Sequence, residues 1–409
     1  MCQGVRPLGT LAYNRAQTRC EEGLEMHHPL EDVQDFSDSC IRCGLCARTD
    51  CGNFSNGEPN LGELCESILN GEETWDYAPF TCALCNRCTI NCPVDLVASR
   101  ATKPLRALLL KQKPELRPLY RKFRTDLKYN VFSALRARDA GDITNVTYIQ
   151  GEANLGEDAN HTAFFPGCAL YAYAPELTAK VSQWLRDEDI AAYTLTICCG
   201  ATFYDVGFYD EYDAYRERVQ AFLREKEIKR LVVTCPHCAH LLPQLIEGME
   251  IEIVRLPDLL VERGMISQST ETITFHDACY DRSAGFFGSA ARSLFENATF
   301  KSMPHEKRDC LCCGGGGMVS VCAPDYCAYR RNLRLAEIDG VDADRVLSTC
   351  FSCVNSLQRG VGSTPVQHYL EQIFDCPVDW GEVYASVDAL FADPAYAELS
   401  ENEELTLVD

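Results

Sequence analysis

The cysteines of this chain fall into a pattern that occurs twice. Each copy has a distant single cysteine, then an adjacent pair followed by glycine, then a C-x₂-C motif. The first copy consists of Cys168, Cys198-Cys199-Gly200 and Cys235-Pro236-His237-Cys238, and the second of Cys279, Cys312-Cys313-Gly314 and Cys350-Phe351-Ser352-Cys353. Thiolates are soft ligands that select zinc or iron–sulfur clusters. This internal repeat therefore indicates two equivalent metal sites.

The adjacent cysteine pair favours iron–sulfur over zinc at these two sites. Two neighbouring thiolates suit two neighbouring irons better than they suit one tetrahedral ion. Zinc in one of the two motifs stays an alternative. The first motif is the better candidate for it, because His237 lies inside its C-x₂-C.

Two further cysteine runs precede the repeats. The first is Cys40-Ile41-Arg42-Cys43-Gly44-Leu45-Cys46 with Cys51 after it, and the second is Cys82-Ala83-Leu84-Cys85-Asn86-Arg87-Cys88 with Cys92-Pro93 after it. The second run matches the C-x₂-C-x₂-C-x₃-C-P spacing of bacterial ferredoxins. The first run departs from that spacing, with one extra residue before its last cysteine and Gly52 in place of proline.

Ferredoxin spacing assigns the ligands of two [4Fe–4S] cubanes, because three close thiolates wrap one cluster and the fourth reaches the other. One cubane is expected on Cys40, Cys43, Cys46 and Cys92, and the other on Cys82, Cys85, Cys88 and Cys51. Cys65 is an alternative to Cys51. Zinc could occupy a C-x₂-C pair, but three consecutive cysteines at this spacing favour iron–sulfur.

Composition and charge limit the protein's environment. The chain has 409 residues, 25 cysteines and a net charge of −22. The acidic balance argues against nucleic-acid binding. The first residues lack the apolar core of a secretory leader, and no run has the roughly 18 apolar residues of a transmembrane helix. We therefore expect a cytoplasmic protein, whose thiols are reduced and available to metals.

Short apolar strands alternate with helices through both repeats, which predicts α/β units with a mostly parallel sheet. Strands are expected before Cys168, Cys198 and Cys235 in the first repeat, and before Cys279 and Cys350 in the second. Sites in such sheets form beyond the carboxyl ends of the strands. The predicted fold is α/β, with a mainly helical two-cluster ferredoxin module followed by two repeated Rossmann-like units.

The expected domain organisation has six parts. These are an N-terminal extension (1–30), the two-cluster module (31–100), a basic helical connector and linker (101–160), the first repeat (161–262), the second repeat (270–376) and an acidic tail (377–409).

Charge is distributed unevenly between the connector and the tail. From Arg100 to Arg138 there are 12 basic and two acidic residues, whereas the tail from Glu382 has eight acidic and no basic residues. The basic segment is either a solvated helical face or a docking surface for an acidic redox partner. The tail is expected to be peripheral and partly mobile.

Both repeats resemble the cysteine-rich "CCG" domains of heterodisulfide reductases. The likeness rests on the two CCG pairs with their flanking cysteines, and on the strand endings Phe164-Phe165-Pro166-Gly167-Cys168 and Phe275-His276-Asp277-Ala278-Cys279. The ferredoxin module ahead of them matches that family's fused arrangement. The resemblance implies up to two non-cubane [4Fe–4S] clusters, one on Cys168, Cys198, Cys199, Cys235 and Cys238 and the other on Cys279, Cys312, Cys313, Cys350 and Cys353.

Two functions are compatible with this resemblance. In the first, electrons pass from the cubanes to the CCG clusters, where Cys312, Cys313, Cys198 and Cys199 surround the chemistry that reduces a small disulfide. In the second, the chain is an electron-transfer subunit of a flavin dehydrogenase of the anaerobic glycerol-3-phosphate dehydrogenase or glycolate oxidase type. The first is favoured because both CCG motifs are complete. A flavoprotein or a membrane cytochrome would supply the electrons, the latter placing the chain on the inner face of a membrane.

Several residues near the motifs have open roles. Gly314–Gly317 is interpreted as backbone that approaches cluster sulfides or substrate closely, since it lacks the context of a dinucleotide fingerprint. His276, His237 and His240 are either structural or donate a proton to a product thiolate. No role is assigned to Cys2, Cys20, Cys65, Cys310, Cys322, Cys327 or Cys376.

Overall fold

A computed structural model describes residues 28–49, 51, 60–72 and 78–408. Cys2, Cys20 and nearly all of the expected N-terminal extension lie outside the described residues. Within the described part, parallel sheets alternate with many helices in two repeated units. The predicted α/β class is therefore confirmed.

The strands in the described residues form two sheets, one in each repeat. They are β1 (Ile149–Gly151), β2 (Thr162–Phe165), β3 (Tyr193–Leu195), β4 (Arg230–Val233), β5 (Glu252–Arg255), β6 (Thr272–His276), β7 (Thr299–Phe300), β8 (Arg345–Ser348) and β9 (Val366–His368). The first sheet has the order β1-β3-β2-β4-β5 and the second β7-β6-β8-β9. All pairs are parallel except β1 with β3.

Helices cover both sheets and form most of the region before them. In the first part of the chain they are α1 (Pro29–Ser39), α2 (Leu61–Leu69), α3 (Ser99–Gln112), α4 (Arg117–Tyr120), α5 (Val131–Asp139) and α6 (Glu157–Asn160). The first repeat has α7 (Cys168–Tyr173), α8 (Pro175–Asp187), α9 (Ala201–Tyr204), α10 (Tyr209–Glu225), α11 (Pro236–Leu245) and α12 (Leu256–Glu262). The second has α13 (Phe286–Ser293), α14 (Val319–Cys322), α15 (Pro324–Asp339), α16 (Phe351–Gln358) and α17 (Tyr369–Ile373), and the tail has α18 (Trp380–Ala392) and α19 (Pro394–Ser400).

Strand register brings the cysteines of each repeat to one sheet edge. Phe165 pairs with Val233, so Cys168 and Cys235 follow neighbouring strand ends. In the second repeat His276 pairs with Ser348 and sets Cys279 beside Cys350 in the same way. The inner strands β2, β4, β6 and β8 are almost wholly buried, because helices cover both faces of a parallel sheet.

The structure departs from the sequence-based expectations in three places. Helix α3 continues through Pro104, although proline ordinarily breaks or kinks a helix, and Ala101, Leu105 and Leu109 on either side of it pack in the core. The predicted linker contributes β1, which adds an antiparallel edge to the first sheet.

The third departure is the acidic tail, which is helical rather than loose. Leu390 and Tyr396 are buried against α5 and α7, and Leu405 forms a β-bridge with Leu127 of the connector. In the described part of the chain, no helix combines the length and the apolar character needed to cross a membrane.

Candidate metal centres

The two ferredoxin-type runs have the same backbone conformation. Arg42 and Leu84, at matching positions after the first cysteine of each run, both have φ of 54°. Gly44 and Asn86, the next matching pair, have φ of 69° and 54°, and each is followed by a 3₁₀ turn. This shared left-handed path turns the three thiols of a run toward one point.

The first run and the last cysteine of the second run line a common cavity. Cys40, Cys43, Cys46 and Cys92 all face it, together with Cys88. The structure therefore brings together the four cysteines predicted for the first cubane. We call this the first cubane site. Cys65, fully buried, lies beside Cys40, and burial raises its pKa to about 12. Its position is thus beside the first cubane site.

The other four predicted ligands also lie together. Burial and the neighbouring thiols of Cys82, Cys85 and Cys51 raise the pKa of Cys88 well above its ordinary value. Cys51 and Cys85 line one cavity. We call this group of Cys51, Cys82, Cys85 and Cys88 the second cubane site.

The five cysteines of each CCG motif form one connected group of thiols. In the first repeat, hydrogen bonds link Cys168 to Cys198, Cys198 to Cys199, Cys199 to Cys238 and Cys238 to Cys235. In the second, they link Cys312 to Cys313, Cys313 to Cys353 and Cys353 to Cys350, with Cys279 close to Cys312 and Cys313. We call these groups the first and second CCG sites.

Thiols from different sites also meet. Cys46 of the first cubane site acts electrostatically on Cys88 of the second. Cys85 is hydrogen-bonded to Cys312 of the second CCG site, and Cys350 of that site is hydrogen-bonded to Cys235 of the first. The four sites therefore follow one another in a single line, and the second CCG site lies between the cubane sites and the first CCG site.

The glycine of each CCG triplet is required by the backbone. Gly200 has φ of +85° and Gly314 has φ of +84°, in the left-handed region. A Cβ on Gly314 would lie 2.3 Å from the carbonyl oxygen of Cys327. The same turn directs backbone amides at the site, since Gly200 N donates to Cys198 Sγ at 3.4 Å and Gly314 N to Cys312 Sγ at 3.3 Å.

The following glycines pack against the ferredoxin module. A Cβ on Gly316 would lie 2.5 Å from the carbonyl oxygen of Ala83, and one on Gly317 would lie 2.7 Å from that of Cys82. We expected close approach to cluster sulfides or substrate. The approach observed here is between the loop of the second CCG motif and the backbone of the second cubane site, which lets Cys85 and Cys312 meet.

Arg106 joins the three units at this junction. Its fully buried guanidinium donates to the carbonyl oxygens of Pro79 at 3.0 Å, Cys82 at 2.6 Å, Asp205 at 2.7 Å and Gly317 at 3.0 Å. These acceptors belong to the ferredoxin module and to both repeats. Sequence reasoning placed Arg106 on a solvated or docking face, and nothing in the local sequence marks it as buried.

His276 lies beside two thiols of the second CCG site. A ring nitrogen of His276 and the Sγ atoms of Cys313 and Cys353 lie within 4.8 Å of one another. Nδ1 accepts a hydrogen bond from Arg334 Nε at 3.0 Å, and burial lowers the pKa of His276 to about 3. The ring is therefore neutral at pH 7, with its proton on Nε2.

His237 occupies a different environment, although it lies inside the first C-x₂-C. Its ring stacks on Tyr280 at 3.6 Å, and its Nε2 lies 3.5 Å from Asp205 Oδ2. Tyr280 donates to the same carboxylate at 3.2 Å, and Lys103 Nζ lies 3.1 Å from Asp205 Oδ1. This network joins the two repeats to α3. It gives no support to zinc in the first motif, whereas the His276 ring does lie beside thiols of the second.

The remaining cysteines surround the sites or lie away from them. Burial raises the pKa of Cys310 to about 11, and its carbonyl oxygen accepts from Arg282 at 2.9 Å. Cys327 is buried beside Gly314, Cys322 ends α14, and Cys376 is buried near the tail. All the cysteines in the described ranges are free thiols.

Chemically, the four sites fit bound iron–sulfur clusters. Each offers a set of thiols and little else, which is the ligand set these clusters take. Burial and the neighbouring thiol of Cys312 raise the pKa of Cys279 well above its ordinary value. A bound cation reverses this preference and deprotonates the coordinating thiol.

Comparison with known proteins agrees with the repeat. The cysteine-rich domain family CCG matches residues 162–242 and 273–358. This chain contains two CCG domains. It is also 24% identical to one component of the dihydromethanophenazine:CoB–CoM heterodisulfide reductase of Methanosarcina mazei, its D subunit, aligned over 379 residues that cover 85% of this chain and 78% of that protein. The resemblance to heterodisulfide reductases inferred from the motifs is thus confirmed.

Solved structures add only weak likenesses. Glutamate racemase isoform RacE1 from Bacillus anthracis aligns with a TM-score of 0.29 at 12% identity, covering 57% of this chain and 83% of that one. An Asp/Glu racemase from Yersinia pestis aligns with a TM-score of 0.27 at 10% identity, covering 56% of this chain and 98% of that one. Neither likeness bears on function.

Proposed function

We propose that this chain is an iron–sulfur oxidoreductase that passes electrons from two ferredoxin-type cubanes to two CCG clusters, which reduce a disulfide. The observation that carries the proposal is the unbroken line of thiols through Cys46 and Cys88, Cys85 and Cys312, and Cys350 and Cys235. The name of the Methanosarcina relative, which is part of a heterodisulfide reductase, supports the same chemistry.

Electrons would enter at the first cubane site. Cys43 is exposed, whereas the cysteines of both CCG pairs, Cys198-Cys199 and Cys312-Cys313, are buried. Ile41 and Val94, which line the same cavity as Cys43, are 59% and 42% exposed. An electron donor can therefore reach this end of the line of sites, and a separate flavoprotein or membrane cytochrome is the donor we propose.

Reduction of one disulfide takes two electrons and two protons and releases two thiols. Iron–sulfur clusters, when bound at the CCG sites, would supply the electrons singly and an iron for a substrate sulfur to bind. The chain holds these sites close together through the contact between Cys235 and Cys350. His276 keeps a neutral ring beside Cys313 and Cys353, so it can donate a hydrogen bond from Nε2 to sulfur without adding charge.

The proposal is tested by the reaction of the protein with small organic disulfides and thiols. Anaerobically purified protein should contain about sixteen irons, four in each of four clusters. After reduction, a disulfide should produce a new paramagnetic signal that an ⁵⁷Fe label broadens. Cys313→Ala should abolish this signal and spare reduction of the cubanes. Cys376→Ala, which removes a buried cysteine outside the sites, should change neither.

The alternative function predicts different results. An electron-transfer subunit of a flavin dehydrogenase would give no thiol-dependent signal across a broad panel of disulfides. It would become reduced only with its flavoprotein partner and that partner's hydroxy-acid or polyol-phosphate substrate. Iron near eight per chain with stoichiometric zinc would instead show that the CCG sites hold zinc.

A further inference from the structure

Arg330 is a buried cation with two unused nitrogens. It lies in α15 and is 2% exposed. Its Nε donates to the carbonyl oxygen of Cys51 at 2.7 Å. Nη1 and Nη2 are buried and have no hydrogen-bond partner among the described residues.

The unused nitrogens lie where two metal sites meet. Arg330 lines a cavity with Cys51 and Cys85 of the second cubane site and Cys312 of the second CCG site. Arg330 therefore lies at the junction between the thiols of the two sites.

Other buried arginines at this junction are satisfied by backbone oxygens. Arg106 donates to four carbonyls. Arg282 donates to those of Cys85, Arg308 and Cys310. A buried donor without an acceptor is destabilising, and more so when it is charged. Among the described residues, Arg330 alone of these three leaves both terminal nitrogens without an acceptor, so a bound group at the junction is free to accept from them.

We propose that Arg330 donates hydrogen bonds to sulfur atoms of the clusters bound at the second cubane site and the second CCG site, and so raises the reduction potentials of both. The inference rests on the cluster assignment of the proposed function. Its physical basis is that net charge and hydrogen bonds to sulfur set the potential of such clusters. Each added electron makes a cluster more negative, so a fixed guanidinium stabilises the reduced form more than the oxidised form.

This role makes Arg330 a positioning residue between the two sites rather than a group that touches substrate. The same cation stabilises an electron on either side of the contact between Cys85 and Cys312. It therefore raises both potentials and favours the arrival of electrons at this junction.

The test is a redox titration of Arg330→Gln and Arg330→Lys, followed by the paramagnetic signals of the individual clusters. In Arg330→Gln the equilibrium constant for one-electron reduction should fall at least tenfold at both sites, a shift of about 59 mV. Arg330→Lys keeps the charge and should shift less. Arg87→Gln is the matched control, because Arg87 lines the same cavity but is paired with Asp309 at 3.3 Å. Of the three variants, Arg87→Gln should shift the reduction potentials least.

Each other outcome contradicts the inference in a recognisable way. Unchanged potentials in Arg330→Gln, with clusters present, would show that Arg330 only ties α15 to Cys51. Equal shifts in Arg330→Gln and Arg87→Gln would show a general effect of nearby charge. If Arg330→Gln does not retain clusters, the measurement on Arg330→Lys decides. A structural role is indicated if Arg330→Lys has a lower iron content but the same potentials as the unaltered protein. Absence of clusters from the unaltered protein would contradict the proposed function itself.

Discussion

Cys312 belongs to two environments at once. Within its own motif it is hydrogen-bonded to Cys313, which is the main reason that its pKa is raised to about 12, and across the junction it is hydrogen-bonded to Cys85. A single side chain thus connects a ferredoxin-type site to a CCG site. The spacing of the cysteines predicts membership of each group, but contacts between groups depend on how the units pack.

The residue-scale prediction concerns Gly314. Gly314→Ala should abolish the second CCG cluster, because the new Cβ would lie 2.3 Å from the carbonyl oxygen of Cys327 at a φ of +84°. The expected result is a loss of about four irons per chain, measured by iron analysis after anaerobic purification.

Gly264→Ala is the control for this variant. Gly264 has a φ of +69° and open space where the Cβ would be. Only the backbone cost of roughly 1–2 kcal/mol should apply, so full iron content is expected. A normal iron content in Gly314→Ala would show that the turn does not shape the site.

At the scale of elements, helix α3 connects the ferredoxin module to both repeats. It carries Lys103, which pairs with Asp205 of the first repeat, and Arg106, whose acceptors lie in three units. A helix in a basic segment thereby fixes the cubane sites against the CCG sites. The basic composition of this segment indicates a surface helix, yet its two central cations are buried: Lys103 pairs with the Asp205 carboxylate, and carbonyls from other units surround Arg106.

Removal of the Arg106 guanidinium should weaken the packing of α3 against the other units. Arg106→Gln leaves several buried carbonyls unpaired, so we expect a loss of stability of about 3 kcal/mol or more, measured as a lower unfolding temperature with the clusters bound. Transfer from the cubanes to the CCG sites should also slow, because Cys85 and Cys312 are no longer held together.

Arg100→Gln, at an exposed position of the same helix, should leave both properties within experimental error. An Arg106→Gln protein with unaltered stability and transfer rate would contradict the role of α3 in holding the units together.

The strands and helices of the repeats follow from the sequence more reliably than the junction does. Strands that end at Cys168, Cys198, Cys279 and Cys350 were expected from short apolar runs, and β2, β3, β6 and β8 are found there. The edge strands β1, β5, β7 and β9 were missed, because strands of two to four residues carry little pattern. Nor could the sequence indicate that Gly316 contacts Ala83, since the contact joins two units far apart in the chain.

For the whole molecule, the acidic tail covers part of the basic connector. Lys128 pairs with Glu404 at 3.0 Å, Thr406 N donates to Asp126 O at 2.8 Å, and Arg121 lies near Glu401 and Glu403. Two of the charges that suggested docking of an acidic partner, Arg121 and Lys128, are thus paired with acidic residues of the tail. The exposed apolar side chains beside Cys43 are the better candidate for the donor's contact.

A pair of surface variants separates these two docking hypotheses. Ile41→Asp should slow reduction by the physiological donor severalfold, because a charge replaces an apolar contact next to the first cubane site. Arg121→Glu should leave that rate unchanged, since its partners are in the tail. Reduction by a small artificial donor serves as the control for both proteins. The opposite pattern, together with a reduction rate that falls steeply with added salt, would show that the donor docks on the basic connector.

The central claim is the order of the sites: both cubanes, then the second CCG site, then the first. It is tested most directly by rapid-freeze spectroscopy of Cys313→Ala and Cys199→Ala during reduction by the donor. We predict that in Cys313→Ala both cubanes become reduced while the first CCG site stays oxidised. In Cys199→Ala the second CCG site should still become reduced at the normal rate. Reduction of the first CCG site at an undiminished rate in Cys313→Ala would contradict the account, because electrons would then reach that site by another route.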